Sequence, residues 1–258
     1  MDAQPVGKSP AINRLLPYWA VFCADLKHTL TSWIYRAWVL LSFGAAMGFL
    51  LYRFGAKQVG GFVQPAPEMM SDILTWITLG SITLVIVLTA GTICSERGTM
   101  ADSVLSRGIS RHQYFLGKLH ARLAAILGTF LVMALLALAG SFLLLHGESM
   151  TLAGSFVALA LVMAILAMVV TFGVSISAIC HSTVLSIAIV WIALYAGGFL
   201  LSLAPEQYPS PDRMLHKLPE VLRGFYDWHM VSRLIAGALA LSVAVAVAGM
   251  AYFSRSDV

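Results

Sequence analysis

The stretch Cys94-Ser-Glu-Arg-Gly-Thr-Met-Ala-Asp-Ser-Val-Leu-Ser-Arg-Gly-Ile-Ser-Arg-His-Gln-Tyr-Phe-Leu-Gly-Lys118 is a polar, basic island between two long apolar runs. Working outward from it, the chain alternates such runs with short polar breaks. Hydrophobic residues make up 59% of the 258 residues and charged ones only 11%, where a soluble domain would carry roughly a quarter. A single aqueous core cannot cover that much apolar surface, so the solvent for most of the chain is lipid. In lipid the backbone must satisfy its own hydrogen bonds, which selects helices for long apolar runs. The expected fold is all-α and polytopic.

A spanning helix needs about 20 mainly apolar residues. Six runs qualify: Trp33 to Tyr52, Ile73 to Cys94, Leu119 to Leu145, Leu152 to Ile179, Thr183 to Leu203, and Val231 to Phe253. An even number of spans puts both termini on one side. Ten of the sixteen Lys and Arg fall on the side of the termini and the island, and six on the other. The positive-inside bias therefore places the N-terminus, the C-terminus and the island in the cytoplasm. The aromatic residues Trp33, Tyr35, Trp38, Tyr52, Trp76 and Tyr252 mark span edges. Residues 1–8 have no apolar segment behind them of the kind a signal peptide carries, since Pro10, Arg14 and Pro17 interrupt it.

Two segments outside the spans have helical patterning. In 11–32, Ile12, Leu15, Leu16, Trp19, Phe22, Cys23, Leu26 and Leu30 recur at steps of three and four, with Asp25, His28, Thr29 and Ser32 largely on another face. This is an amphipathic helix that either lies in the membrane interface or packs its apolar side on protein. In 204–230, Pro205, Pro209, Pro211 and Pro219 break the chain into short helices, which serve either as a gate or as a lid over helix ends.

Catalytic and metal signatures are sparse. Gly7-Lys8-Ser9 lacks the glycine that a phosphate-binding loop needs five positions earlier, where Asp2 stands. Gly173-Val174-Ser175-Ile176 lacks the closing glycine of an intramembrane serine protease motif, and the seven histidines are expected at or beyond helix ends. Cys94, Cys180 and His181 approach one membrane face without metal-site spacing. No catalytic or metal-ligating residue and no cofactor is assigned to the chain. The net charge of +4 reflects membrane topology rather than a nucleic-acid surface. Span interiors nearly lack charge, which disfavours an ion-coupled relay. Gly44-Ala-Ala-Met-Gly48 is a small-x-x-x-small contact motif, usable within the bundle or between subunits.

Within the island, Asp102 or Ser103 can cap a short helix, Gly108 can end it and Ser110 can cap the next. The result is a helix-turn-helix elbow. Glu96, Gly98-Thr99, Ser106-Arg107-Gly108-Ile109-Ser110-Arg111 and Gly117-Lys118 follow the second span in that order. This order, with six spans and an amphipathic lead helix, resembles the permease subunits of type-2 ABC exporters, although Gly108 stands where that family frequently has proline. The resemblance implies one permease domain over 1–258, with an interface helix (11–32), a cytoplasmic coupling loop (95–118) and an outer loop (204–230). It also implies a working assembly with two copies of a separate ATP-binding subunit, which would hold ATP and Mg, and a second permease copy or homologue. Glu96, Arg97, Gly98, Thr99, Ser106, Arg107, Gly108, Ser110, Arg111 and Lys118 would form the coupling element. A non-transporting membrane anchor or assembly subunit, and an intramembrane enzyme using Ser175, are the alternatives.

Overall fold

The computed structural model describes residues 15–59, 65–96, 109–144, 150–203 and 210–255. Their elements are α1 (Leu16–Thr31), α2 (Trp33–Gln58), α3 (Ala66–Ala90), a 3-10 turn (Cys94–Glu96), α4 (Arg111–Leu144), α5 (Leu152–Ile179), α6 (Thr183–Ser202), α7 (Pro211–His216), α8 (Leu218–Leu222) and α9 (Trp228–Arg255). Every regular element among the described residues is helical. Six of them, α2, α3, α4, α5, α6 and α9, are long and apolar enough to cross a membrane, and the chain is a multi-pass membrane protein.

Local chemistry explains the helix starts. Ser32 is extended between α1 and α2, and its hydroxyl accepts from Tyr35 N at 3.2 Å. The first turn of α3 carries proline, whose missing N–H costs nothing there, and Glu68, which suits the positive end of the helix dipole. Ser110 and Gln113 cap α4 reciprocally: Gln113 N donates to Ser110 Oγ and Ser110 N to Gln113 Oε1, both at 3.2 Å. The expected cap at Ser110 is therefore present. The Asp102, Ser103 and Gly108 part of the elbow lies outside the described residues.

Span boundaries shift where polar residues hide the helix from a hydropathy reading. α4 begins at Arg111 rather than Leu119, so 111–118 is helix and not loop. α3 begins at Ala66 rather than Ile73, which leaves Trp76 well inside the helix instead of at its edge. α2 continues past Tyr52 to Gln58 and buries Arg53 within a helix, a charge expected beyond the span. α9 starts at Trp228 and ends at Arg255, slightly longer than expected, and α6 ends at Ser202 rather than Leu203. Only α5 keeps its expected bounds, because Thr151 caps it through Gly154 N and Cys180 is extended at its end.

α5 is the axis of the bundle. It packs against α9, α3, α4, α6 and α8, and 72% of its apolar window is buried, against 11% for α6 and 17% for α9. Its crossings are close because small residues meet there. A Cβ on Gly249 of α9 would come within 2.8 Å of Ser175 Cβ, and one on Gly173 would collide with the Thr89 side chain of α3. A Cβ on Gly44 or Gly48 would meet nothing within 4 Å among the described residues, so these two glycines mark no close helix crossing there, although Ala46 between them is buried in the core.

The core has two parts. One, at the end where α3 finishes and α4 begins, gathers Trp38, Ile86, Phe115, Val170 and Phe253 beneath α1. The other gathers Met70, Leu74, Phe130, Leu161 and Leu166 beneath α7 and α8. The short helices of the 204–230 segment thus bury Met214, Leu215, Leu218, Val221 and Leu222 over the bundle end, and Thr151 N donates to Leu222 O at 3.0 Å. This is the geometry of a lid.

Candidate functional site

α1 presents Val21, Asp25 and Thr29 at four-residue steps, and all three are buried. This inward face belongs to the side read as polar. The apolar side is the open one, with Leu15, Leu16 and Trp19 at least 60% exposed. α1 lies on the first turns of α4, and Gly117 permits the approach: a Cβ there would meet Val21 Cγ1 at 2.9 Å. Tyr18 Oη and His120 Nδ1 are hydrogen-bonded at 3.0 Å across the same contact. His120 is therefore well inside α4 and not at a helix end.

One residue after Gly117, Lys118 points into the seam. Its ammonium donates to Glu96 Oε1 at 2.7 Å, Thr92 O at 3.1 Å and Asp25 Oδ1 at 3.3 Å. A lysine has three donors, and all of them are used. One turn further, Arg122 Nη2 donates to Asp25 Oδ1 at 3.3 Å, and its Nε lies 3.0 Å from Asp25 Oδ2 as an ion contact not aligned for a hydrogen bond. Tyr114 Oη donates to Glu96 Oε2 at 2.6 Å, and its ring lies 5.3 Å from the Lys118 ammonium. Two carboxylates and two cations make the cluster neutral overall. The Lys118 and Asp25 side chains are each 4% exposed, and Glu96 forms the rim at 30%. Removing charges from water this completely is tolerable only because each has an opposite partner.

Two further ties converge here. Ser177 Oγ of α5 accepts from Ile93 N at 2.9 Å and Cys94 N at 3.1 Å, closing the end of α3. Arg111 Nη1 donates to Phe253 O of α9 at 3.5 Å, and the Tyr114 ring stacks on Phe253 at 6.1 Å between centroids. The residues flanking segment 97–108 are thus joined to each other and to α1, α5 and α9.

Of the residues expected to couple, Glu96 and Lys118 meet in this cluster, while Ser110 caps α4 and Arg111 reaches Phe253 O. Arg97, Gly98, Thr99, Ser106, Arg107 and Gly108 lie outside the described residues. Lys118 is buried and fully engaged within the chain, so it acts on a partner only through what it holds. Asp25 entered the sequence reading only as a residue of the polar face of the lead helix and Arg122 only as a topological cation, and Tyr114 was given no role. The available signal was Asp25 itself: in so apolar a chain, an acid on a helix next to a span needs a cationic partner, and Lys118 and Arg122 sit one turn apart to supply it.

Chemistry of other kinds is weakly represented. Ser175 Oγ is buried against Gly249, with no hydrogen-bonding base among the described residues. Among the described residues, no three His, Cys, Asp or Glu side chains gather as a metal would require, and Cys94 Sγ instead lies 3.7 Å from Thr183 Oγ1. Compared with known protein families and with curated proteins, the chain matches none.

Proposed function

We propose that the chain is the permease subunit of an ATP-driven ABC exporter in the cell's cytoplasmic (inner) membrane, with both termini and the 97–108 loop in the cytoplasm. The observation that carries this reading is the Asp25–Lys118–Glu96 link. Glu96 precedes the loop and Lys118 follows it, and both are fastened to each other, while Lys118 also holds α1. A load on the loop therefore moves the end of α3, the start of α4 and α1 as one body, which is what a rigid-body transition driven from outside the membrane requires. The chain itself performs no catalysis in this reading. Two copies of a separate ATP-binding subunit, carrying ATP and Mg, dock on the loop through residues such as Arg107. The exposed apolar face of α1 rests in the membrane interface. A second permease copy or homologue has the unpartnered Gly44 and Gly48 face of α2 available for contact.

Purification of the tagged protein from its native membrane in mild detergent tests this. A stoichiometric subunit bearing an ATP-binding loop should accompany it and be lost from the Arg107→Glu variant. Recovery without any ATPase in several detergents would sink the exporter reading in favour of a non-transporting anchor.

A further inference from the structure

A cleft of ≈ 460 Å³ opens sideways from the bundle between α6 and α9, floored by α3 and α5. These two walls barely touch each other. Gly197 and Gly198 on α6 and Gly237 on α9 face open space, and a Cβ on any of them would meet nothing within 4 Å. Of the eighteen lining residues, only Tyr195 and Arg233 carry a polar side-chain group, and none is acidic. Arg233 is exposed and lies on the second turn of α9, at the α7–α8 end of the bundle. From Arg233 to Leu241 the wall runs about 12 Å along the helix, at 1.5 Å per residue. Among its described lining residues the cleft is thus an apolar slot with one cation, Arg233, at the mouth on its α7–α8 end.

In a bilayer such a slot cannot hold water comfortably, and leaving it empty forfeits packing on all its walls. Its natural filler is an acyl chain. The mouth then decides which lipid. A guanidinium forms bidentate, charge-assisted hydrogen bonds with phosphate. Among the described residues no carboxylate lines the cleft to complement the ammonium of a zwitterionic headgroup, so charge favours a net anionic one. We infer that this cleft is a binding site for an anionic glycerophospholipid, with an acyl chain between the Gly197–Gly198 and Gly237 faces and its phosphate on Arg233. The site stands independently of whether the chain is an exporter subunit.

The test uses the full-length purified protein, titrated in detergent with phosphatidylglycerol or phosphatidylcholine and read by native mass spectrometry. Phosphatidylglycerol should bind about tenfold more tightly, because both lipids offer Arg233 the same phosphate but only phosphatidylcholine brings a second cation that the lining leaves uncompensated. Arg233→Gln should bring both lipids to the same weaker level, while Lys27→Gln on the exposed side of α1 keeps the preference. Gly198→Leu should lose both lipids, whereas Gly198→Ala, which fits the open space, should bind as the wild type does. Equal binding of the two lipids by the wild type, an undiminished preference in Arg233→Gln, or displacement by inorganic phosphate alone would each overturn the inference. Should Gly198→Leu fail to fold, the Arg233→Gln comparison decides by itself.

Discussion

At the loop end of the bundle, Asp25, Glu96, Lys118 and Arg122 hold three segments together through a buried charge network, while at the other end α7 and α8 lie over the helices on five buried apolar side chains. A charge pair joining that lid to the bundle, Arg223 with Glu68, is 3.0 Å apart and more than 30% exposed on both sides. Apolar contact is non-directional and fixes coverage rather than register. A buried charge network fails unless each partner is in place. The loop end is therefore built to keep α1, α3 and α4 in one alignment, and the lid end to stay covered while allowing small shifts.

The sharpest way to break this contrast is Lys118→Met. It leaves the buried Asp25 and the rim Glu96 with Arg122 as the one cation remaining in the cluster, and should cost about 3–5 kcal/mol in equilibrium unfolding in mixed micelles. If the chain is an exporter subunit, it should also separate assembly from transport, because the Lys118 bridge from Glu96 to Asp25 is cut while Arg122 still holds α1 to α4. Leu222→Ala, in the lid, should cost about 2–5 kcal/mol as a cavity, with the accessibility of α8 rising by hydrogen exchange and the loop end unchanged. A loss of protection that spreads to α1 would show that the two ends are not independent. Glu68→Gln should move stability by less than about 1 kcal/mol, since a half-exposed pair is screened by solvent. A larger loss would mean that the lid relies on charge after all, and the contrast would fall.

Much of the fold was legible in advance, for a reason visible in particular residues. All six spans were found because each carries an apolar run long enough for lipid, and the α5 run from Leu152 to Ile179 has polar caps at both ends. The starts of α3 and α4 were missed because Glu68, Ser71 and Asp72, and likewise Arg111, His112 and Gln113, are helical yet polar. Their helices extend to meet protein and water instead of lipid. In the candidate site, Glu96 and Lys118 were recognised through a sequence pattern. Asp25 was placed on the polar side of α1, where solvent was the expected neighbour, and no local feature marked that side as the one that packs.

The sequence by itself determined the membrane environment, the helical class and the number of spans, because an apolar backbone in lipid has few ways to satisfy its hydrogen bonds. Tertiary structure alone decided which spans face protein. α5 and α6 have similar mean hydropathies of 2.8 and 2.3, yet are 72% and 11% buried. Lipid and protein interior are equally apolar, so hydropathy cannot tell one neighbour from the other. Tertiary structure also decided that Asp25 meets Lys118 and Arg122, which are 93 and 97 residues away along the chain. Only packing α1 against α4 removes those charges from water, and that removal obliges them to pair.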